Sequence, residues 1–147
     1  CNEMMTLDAN APSTVLRHRR ACACEACEYI HRLIKYMNAK PVQWMGTSRN
    51  DVRRFPADVQ RKIGYALFRV QCGREPHDWK PMSAVGPGVR ELRIRVGRHF
   101  RLLYVTGHGE AVYVLHAFEK KTQRTSHGDI ALGRQRLALV PPPKMKG

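Results

Sequence analysis

Five cations stand where a small sheet would bring them together: Arg93 and Arg95, then Arg101, then the pair Lys120 and Lys121. Their chemistry would be phosphate binding, because guanidinium groups match paired phosphate oxygens and ammonium groups act on them as point charges. The segment from Val89 to Thr125 reads as three consecutive strands. Leu92, Ile94 and Val96 alternate with Glu91, Arg93 and Arg95, the period of a half-buried strand. Phe100, Leu102 and Tyr104 form the next apolar set, with Arg101 on the opposite face. A three-residue turn at 97–99 then sets Val96 against Phe100, Ile94 against Leu102 and Arg95 against Arg101. A two-residue turn would carry Arg101 to the apolar side, so the alternation selects the register. Like charges directly across a strand pair cost up to about 1 kcal/mol. Such a cost is tolerated most readily where a polyanion will lie between them, so the expectation is a phosphate-binding sheet.

The elements that must position these residues follow from the rest of the chain. Pro41–Gly46 reads as a short first strand. Ser48 with Asp51 forms a capping signal for a short helix over 49–55. Pro56 suits the first turn of a second helix, whose stripe is Val59, Ile63, Ala66, Leu67 and Val70, and Gly73 ends it. Arg53, Arg54, Arg61, Lys62 and Arg69 fall mainly off that stripe. Residues 74–88 form a Pro/Gly-rich connection, followed by strands at about 89–96, 100–106 and 111–118. Ser126 and Asp129 start a last helix, and Pro141–Pro143 with a basic tail close the sequence. The expectation is a small α+β domain in the order β-α-α-β-β-β-α: an antiparallel sheet with two helices on one face and an open basic face. It occupies residues 37–140, with 141–147 as tail and 1–36 as an N-terminal extension, poorly structured or helical. Met37 opens a segment that reads like an ordinary protein start, so residues 1–36 are either an accessory extension or upstream sequence.

A chain of 147 residues suffices for one domain with a real core. Its formal net charge of +14 is too basic for a generic enzyme and points first to nucleic acid or the ribosome, second to an acidic protein. The bias is uneven, since residues 1–39 carry +1 and residues 40–147 carry +13. No apolar run is long enough to span a membrane. The odd count of 5 cysteines argues against a secreted disulfide framework, so the expected location is cytoplasmic. His18, Cys22, Cys24, Cys27 and His31 are rich in soft metal ligands, but a structural zinc site usually shows two separated pairs. No cofactor is expected. His116, between Leu115 and Ala117, is placed on the side of Val112, Val114 and Phe118 and reads as a hydrogen-bonded buried histidine rather than a catalyst. Trp44 and Trp79 read as packing residues.

The element order and the residues that fill it resemble the RelE/ParE toxin superfamily, nearest to its HigB-like, phage-derived branch. The resemblance covers about residues 40–138. Its most specific piece is AVYVLHAFEKKTQRTSHGDIALGRQRL, an apolar strand ending in His-Ala-Phe-x-Lys-Lys and followed by a Thr/Ser-x-x-Asp-Ile helix start. Gln71-Cys72-Gly73 and Trp79-Lys80-Pro81-Met82 give a second piece. The resemblance implies the toxin of a two-gene toxin–antitoxin system, an endoribonuclease that cleaves mRNA on the ribosome by attack of a 2′-hydroxyl on the adjacent phosphate, without metal. Arg93, Arg95, Arg101, Lys120 and Lys121 would then be catalytic. Arg98, His99, Arg124 and His127 would contact RNA. Some relatives place a tyrosine near the C-terminal end, and this chain has none after Tyr113, leaving His127 as a stand-in or as an ordinary exposed residue. The implied partners are the ribosome, mRNA and a helix-turn-helix antitoxin. The alternatives are a ParE-like gyrase poison and an inactive prophage relic that only binds RNA or its antitoxin.

Overall fold

A computed structural model describes residues 39–109 and 111–143, together with Tyr29. The chain runs β1 (Val42–Trp44), α1 (Ser48–Arg53), α2 (Ala57–Gln71), β2 (Trp79–Pro81), β3 (Val89–Val96), β4 (Arg98–Val105), β5 (Val112–Glu119) and α3 (His127–Leu137). The five strands form one sheet in the order β1-β5-β4-β3-β2. β1 runs parallel to β5, and the other pairs are antiparallel. The architecture is α+β, in keeping with a small RelE-like fold. The metal-ligand cluster at residues 18–31 lies outside the described residues.

Helix ends explain much of the path. α2 stops in a Schellman motif: Gly73, at φ 75°, donates to Val70 O at 3.0 Å, and Arg74 donates to Arg69 O at 2.8 Å. Gln71 Nε2 then donates to Lys40 O at 2.7 Å and Lys40 N to Gln71 O at 3.0 Å, which ties the end of α2 to the start of β1. Ser126 caps α3 as expected, accepting from Asp129 N at 3.1 Å. Ser48 does not cap α1. Thr47 holds the N-cap position, and the Ser48 hydroxyl is buried, donating to Val114 O at 3.1 Å.

Both faces of the sheet are used. One packs against α1 and α2 through Val52, Val59, Ile63, Leu67, Leu92, Phe100, Leu102 and Tyr104. Each such side chain contributes about 2 kcal/mol on leaving water. The other face is divided along its length. At one end Val89, Leu103, Val105 and Leu115 pack beneath Val85, Ile130 and Leu137. At the other end the same face carries charges instead.

The hairpin of β3 and β4 is tighter than the alternation suggested. It closes over Gly97 alone, at φ 65°, so Val96 pairs with Arg98, Ile94 with Phe100 and Arg95 with His99. Arg101 therefore faces Arg93, not Arg95. A shift of two residues keeps every side chain on its face, which is why alternation could not exclude it. The Pro/Gly-rich connection also holds β2, where Lys80 pairs with Glu91. In β5, Leu103 pairs with His116 but Tyr104 with Val114, leaving Leu115 as a bulge. The bulge reverses the alternation, so His116 joins Phe118 across the sheet from Val112 and Val114.

Candidate functional site

The charged end of the second face converges on Glu91, whose relative exposure is 0%. Its Oε1 lies 3.2 Å from Arg101 Nε, 3.7 Å from Arg93 Nε and 3.7 Å from Lys80 Nζ. Its Oε2 accepts from the Thr125 hydroxyl at 3.4 Å. The cations reach it from three adjacent strands because β2, β3 and β4 place Lys80, Arg93 and Arg101 on one face. Arg93 and Arg95 share Asp78, each at 3.6 Å. Lys120 N donates to His99 O at 2.7 Å, which draws the turn after β5 over the end of β4.

Burial pushes the Arg101 guanidinium below its ordinary range, and Glu91 offsets part of that shift. Burial likewise lowers the Lys120 ammonium, against the attraction of Glu91. Both are therefore cations held short of full hydration, where charge acts more strongly on an incoming anion than it does in water.

Beside the cluster lies an open pocket of about 210 Å³, lined by residues that include Phe118, Lys120, Lys121, Arg124, Thr125 and Asp129. Behind it, His116 Nε2 lies 2.8 Å from Asp129 Oδ1. Arg136 Nη1 donates to Leu115 O at 2.8 Å and approaches His116 Nδ1 at 3.5 Å. On the Nδ1 side Asp51 Oδ2 also approaches, at 3.8 Å, so the imidazole sits between two carboxylates and a guanidinium. The imidazole, 7% exposed, thus joins β5 to α3 as the hydrogen-bonded buried residue expected.

Of the nine candidate residues, Arg93, Arg101 and Lys120 gather around Glu91, and Arg95 joins them through Asp78. Lys121 and Arg124 line the pocket. Arg98 is turned aside, donating to Glu119 Oε2 at 3.0 Å. His99 is exposed at the strand end opposite Arg95. His127 is exposed at the start of α3 and does not line the pocket. Sequence reasoning missed Lys80, Asp78 and the role of Glu91. Glu91 shared the alternation of Arg93 and Arg95, which was the signal available. Among the described residues no group of three His, Cys, Asp or Glu side chains is placed to hold a metal ion.

The α+β domain thus gathers buried and exposed cations around one buried carboxylate, with an open pocket beside them. The chain is a member of the phage-derived Gp49-like protein family (DUF891), whose model matches residues 50–138. This is a family of RelE/HigB-like toxins of toxin–antitoxin systems. A comparison with curated proteins finds no match. Among the described residues no helix is long and apolar enough to cross a membrane.

Proposed function

We propose that this protein is a ribosome-dependent mRNA endonuclease, the toxin of a two-gene system, working in the cytoplasm and silenced by a helix-turn-helix antitoxin. The observation that carries the reading is the convergence of Lys80, Arg93 and Arg101 on one buried carboxylate, with Lys120 beside them and an open pocket adjoining. In-line attack of a ribose 2′-hydroxyl puts extra negative charge on the phosphate, and fixed cations stabilise that charge most. Arg101 and Lys120 take this role. Arg93 and Arg95 hold the flanking phosphates, while Lys121 and Arg124 receive the strand at the pocket. His99, an exposed imidazole at the strand end beside the arginines, takes the 2′-hydroxyl proton, and water supplies the proton taken up by the leaving 5′ oxygen. An antitoxin covering the charged end of the sheet would block all of these groups at once.

The test is brief induction of the full chain in cells, followed by mapping of mRNA 5′ ends. New ends in step with codons, lost in an Arg101→Lys control that keeps the charge but not the fork, support ribosome-dependent cleavage. Growth arrest without new ends overturns it in favour of a gyrase poison. Neither effect leaves a binding protein.

A further inference from the structure

Phosphate binding alone gives no reason for a carboxylate at the centre of the site. Glu91 is wholly buried among groups that attract anions, and burying a carboxylate is costly unless partners compensate it. Its cationic partners compensate its charge without hydrogen-bonding to Oε1, while Oε2 accepts from the Thr125 hydroxyl. Three cations meet at Oε1, yet neither Oε1 nor Arg101 Nε makes a hydrogen bond. Arg101 is oriented otherwise by one bond, from Nη1 to Phe100 O at 3.0 Å. Glu91 attracts the cations inward without engaging them in the paired geometry that would make them unavailable.

We infer that Glu91 is a positioning residue: an internal counter-anion that keeps Arg101, Arg93 and Lys80 converged before RNA arrives and yields their charge to the RNA backbone, that of Arg101 to the scissile phosphate and that of Arg93 to its neighbour. The inference rests on the reading of this surface as an RNA-cleaving site. Without Glu91 the cations repel one another, and the site becomes more positive but less focused. Affinity for RNA and rate of cleavage should then move in opposite directions. A carboxylate that merely stabilised the fold would lower both together.

The experiment compares the full-length wild type with Glu91→Gln and Glu91→Asp. Affinity is read with a single-stranded RNA blocked by a 2′-deoxy sugar, and turnover with mRNA on ribosomes. Glu91→Gln should bind the blocked RNA at least as tightly as wild type while its kcat falls about a hundredfold. Glu91→Asp should recover roughly tenfold of that loss, because the charge returns at a shorter reach. A Glu91→Gln variant with wild-type turnover, or with affinity and turnover reduced equally, overturns the inference. If Glu91→Gln does not fold, Glu91→Asp decides: reduced kcat at unchanged KM supports positioning, and a change in KM alone overturns it. If the wild type cleaves nothing, the proposed activity fails but the positioning claim is still tested by exchange of the Arg101 Nε–H with water. Faster exchange in either folded variant upholds it, and unchanged exchange refutes it.

Discussion

Arg93 lies directly across the strand pair from Arg101, and Nε of each lies near the same oxygen, Glu91 Oε1, at 3.7 and 3.2 Å. The like-charge pairing is therefore compensated from within the sheet as well as by any ligand. It also changes what can be learned from removing either arginine.

Arg101→Ala removes a cation whose side chain is only 7% exposed and leaves Glu91 with Lys80 and Arg93. The variant should lose about 2–3 kcal/mol of stability, less than an isolated buried pair because two partners remain. Loss of toxicity in Arg101→Ala therefore mixes folding with chemistry. Arg101→Lys should lose less than half as much stability in urea unfolding, yet slow cleavage about a hundredfold for want of the planar fork.

Asp129 serves two partners, His116 Nε2 at 2.8 Å and the Ser126 hydroxyl at 2.5 Å. Asp129→Ala removes the partner of His116 Nε2 from a buried imidazole and should cost about 2 kcal/mol, measured by urea unfolding. Asp129→Asn keeps an acceptor oxygen and should cost clearly less.

Ser48→Ala should cost about 1 kcal/mol, for the lost bond to Val114 O. Ser48→Asp distinguishes the two positions that serine could hold. At an exposed N-cap aspartate would be as good as serine. In the buried site it should destabilise the protein more than alanine does, as a lower Tm.

Lys120 carries a pH signature whose sign follows from burial. Its folded pKa lies below the ordinary 10.5, so between that lowered value and 10.5 the unfolded chain holds a proton the folded chain has released. Stability from this group therefore rises with pH through that window, and the penalty is constant below it. Lys120→Gln should raise Tm at about pH 7, with the gain shrinking as pH approaches about 10. The same variant should weaken RNA binding and cleavage.

Element types and sidedness were legible because alternation and stripe patterns report which face of an element is apolar. Arg93, Arg95 and Arg101 were correctly assigned to the face opposite Ile94 and Phe100 for that reason. Register was not legible. Closing the hairpin over Gly97 or over 97–99 leaves the same residues on the same faces, and only the identity of the opposed pairs changes. The bulge at Leu115 was invisible because an apolar run on a strand buried on both sides has no polar residue to mark the reversal. Glu91 was hidden by β2, whose three residues sit in a stretch dominated by proline and glycine. Without Lys80 on a neighbouring strand, Glu91 looks like one more wet-face residue. Ser48 shows the limit of local signals: its spacing to Asp51 satisfies the capping pattern, but a carbonyl from β5 claims the hydroxyl.

The parallel pairing of Val42 with Val112 bears on how the protein comes into being. β1 has no ladder of its own until β5 has left the ribosome, and β5 also supplies the bed for α3. Pairings so distant in sequence close slowly and late. The sheet is thus completed only when nearly the whole domain has been synthesised, and the Glu91 cluster, with Lys120 and Thr125 beyond β5, completes with it. The charged end of the sheet is therefore among the last parts of the domain to take its final form, although Lys80, Glu91, Arg93 and Arg101 lie in strands made before β5.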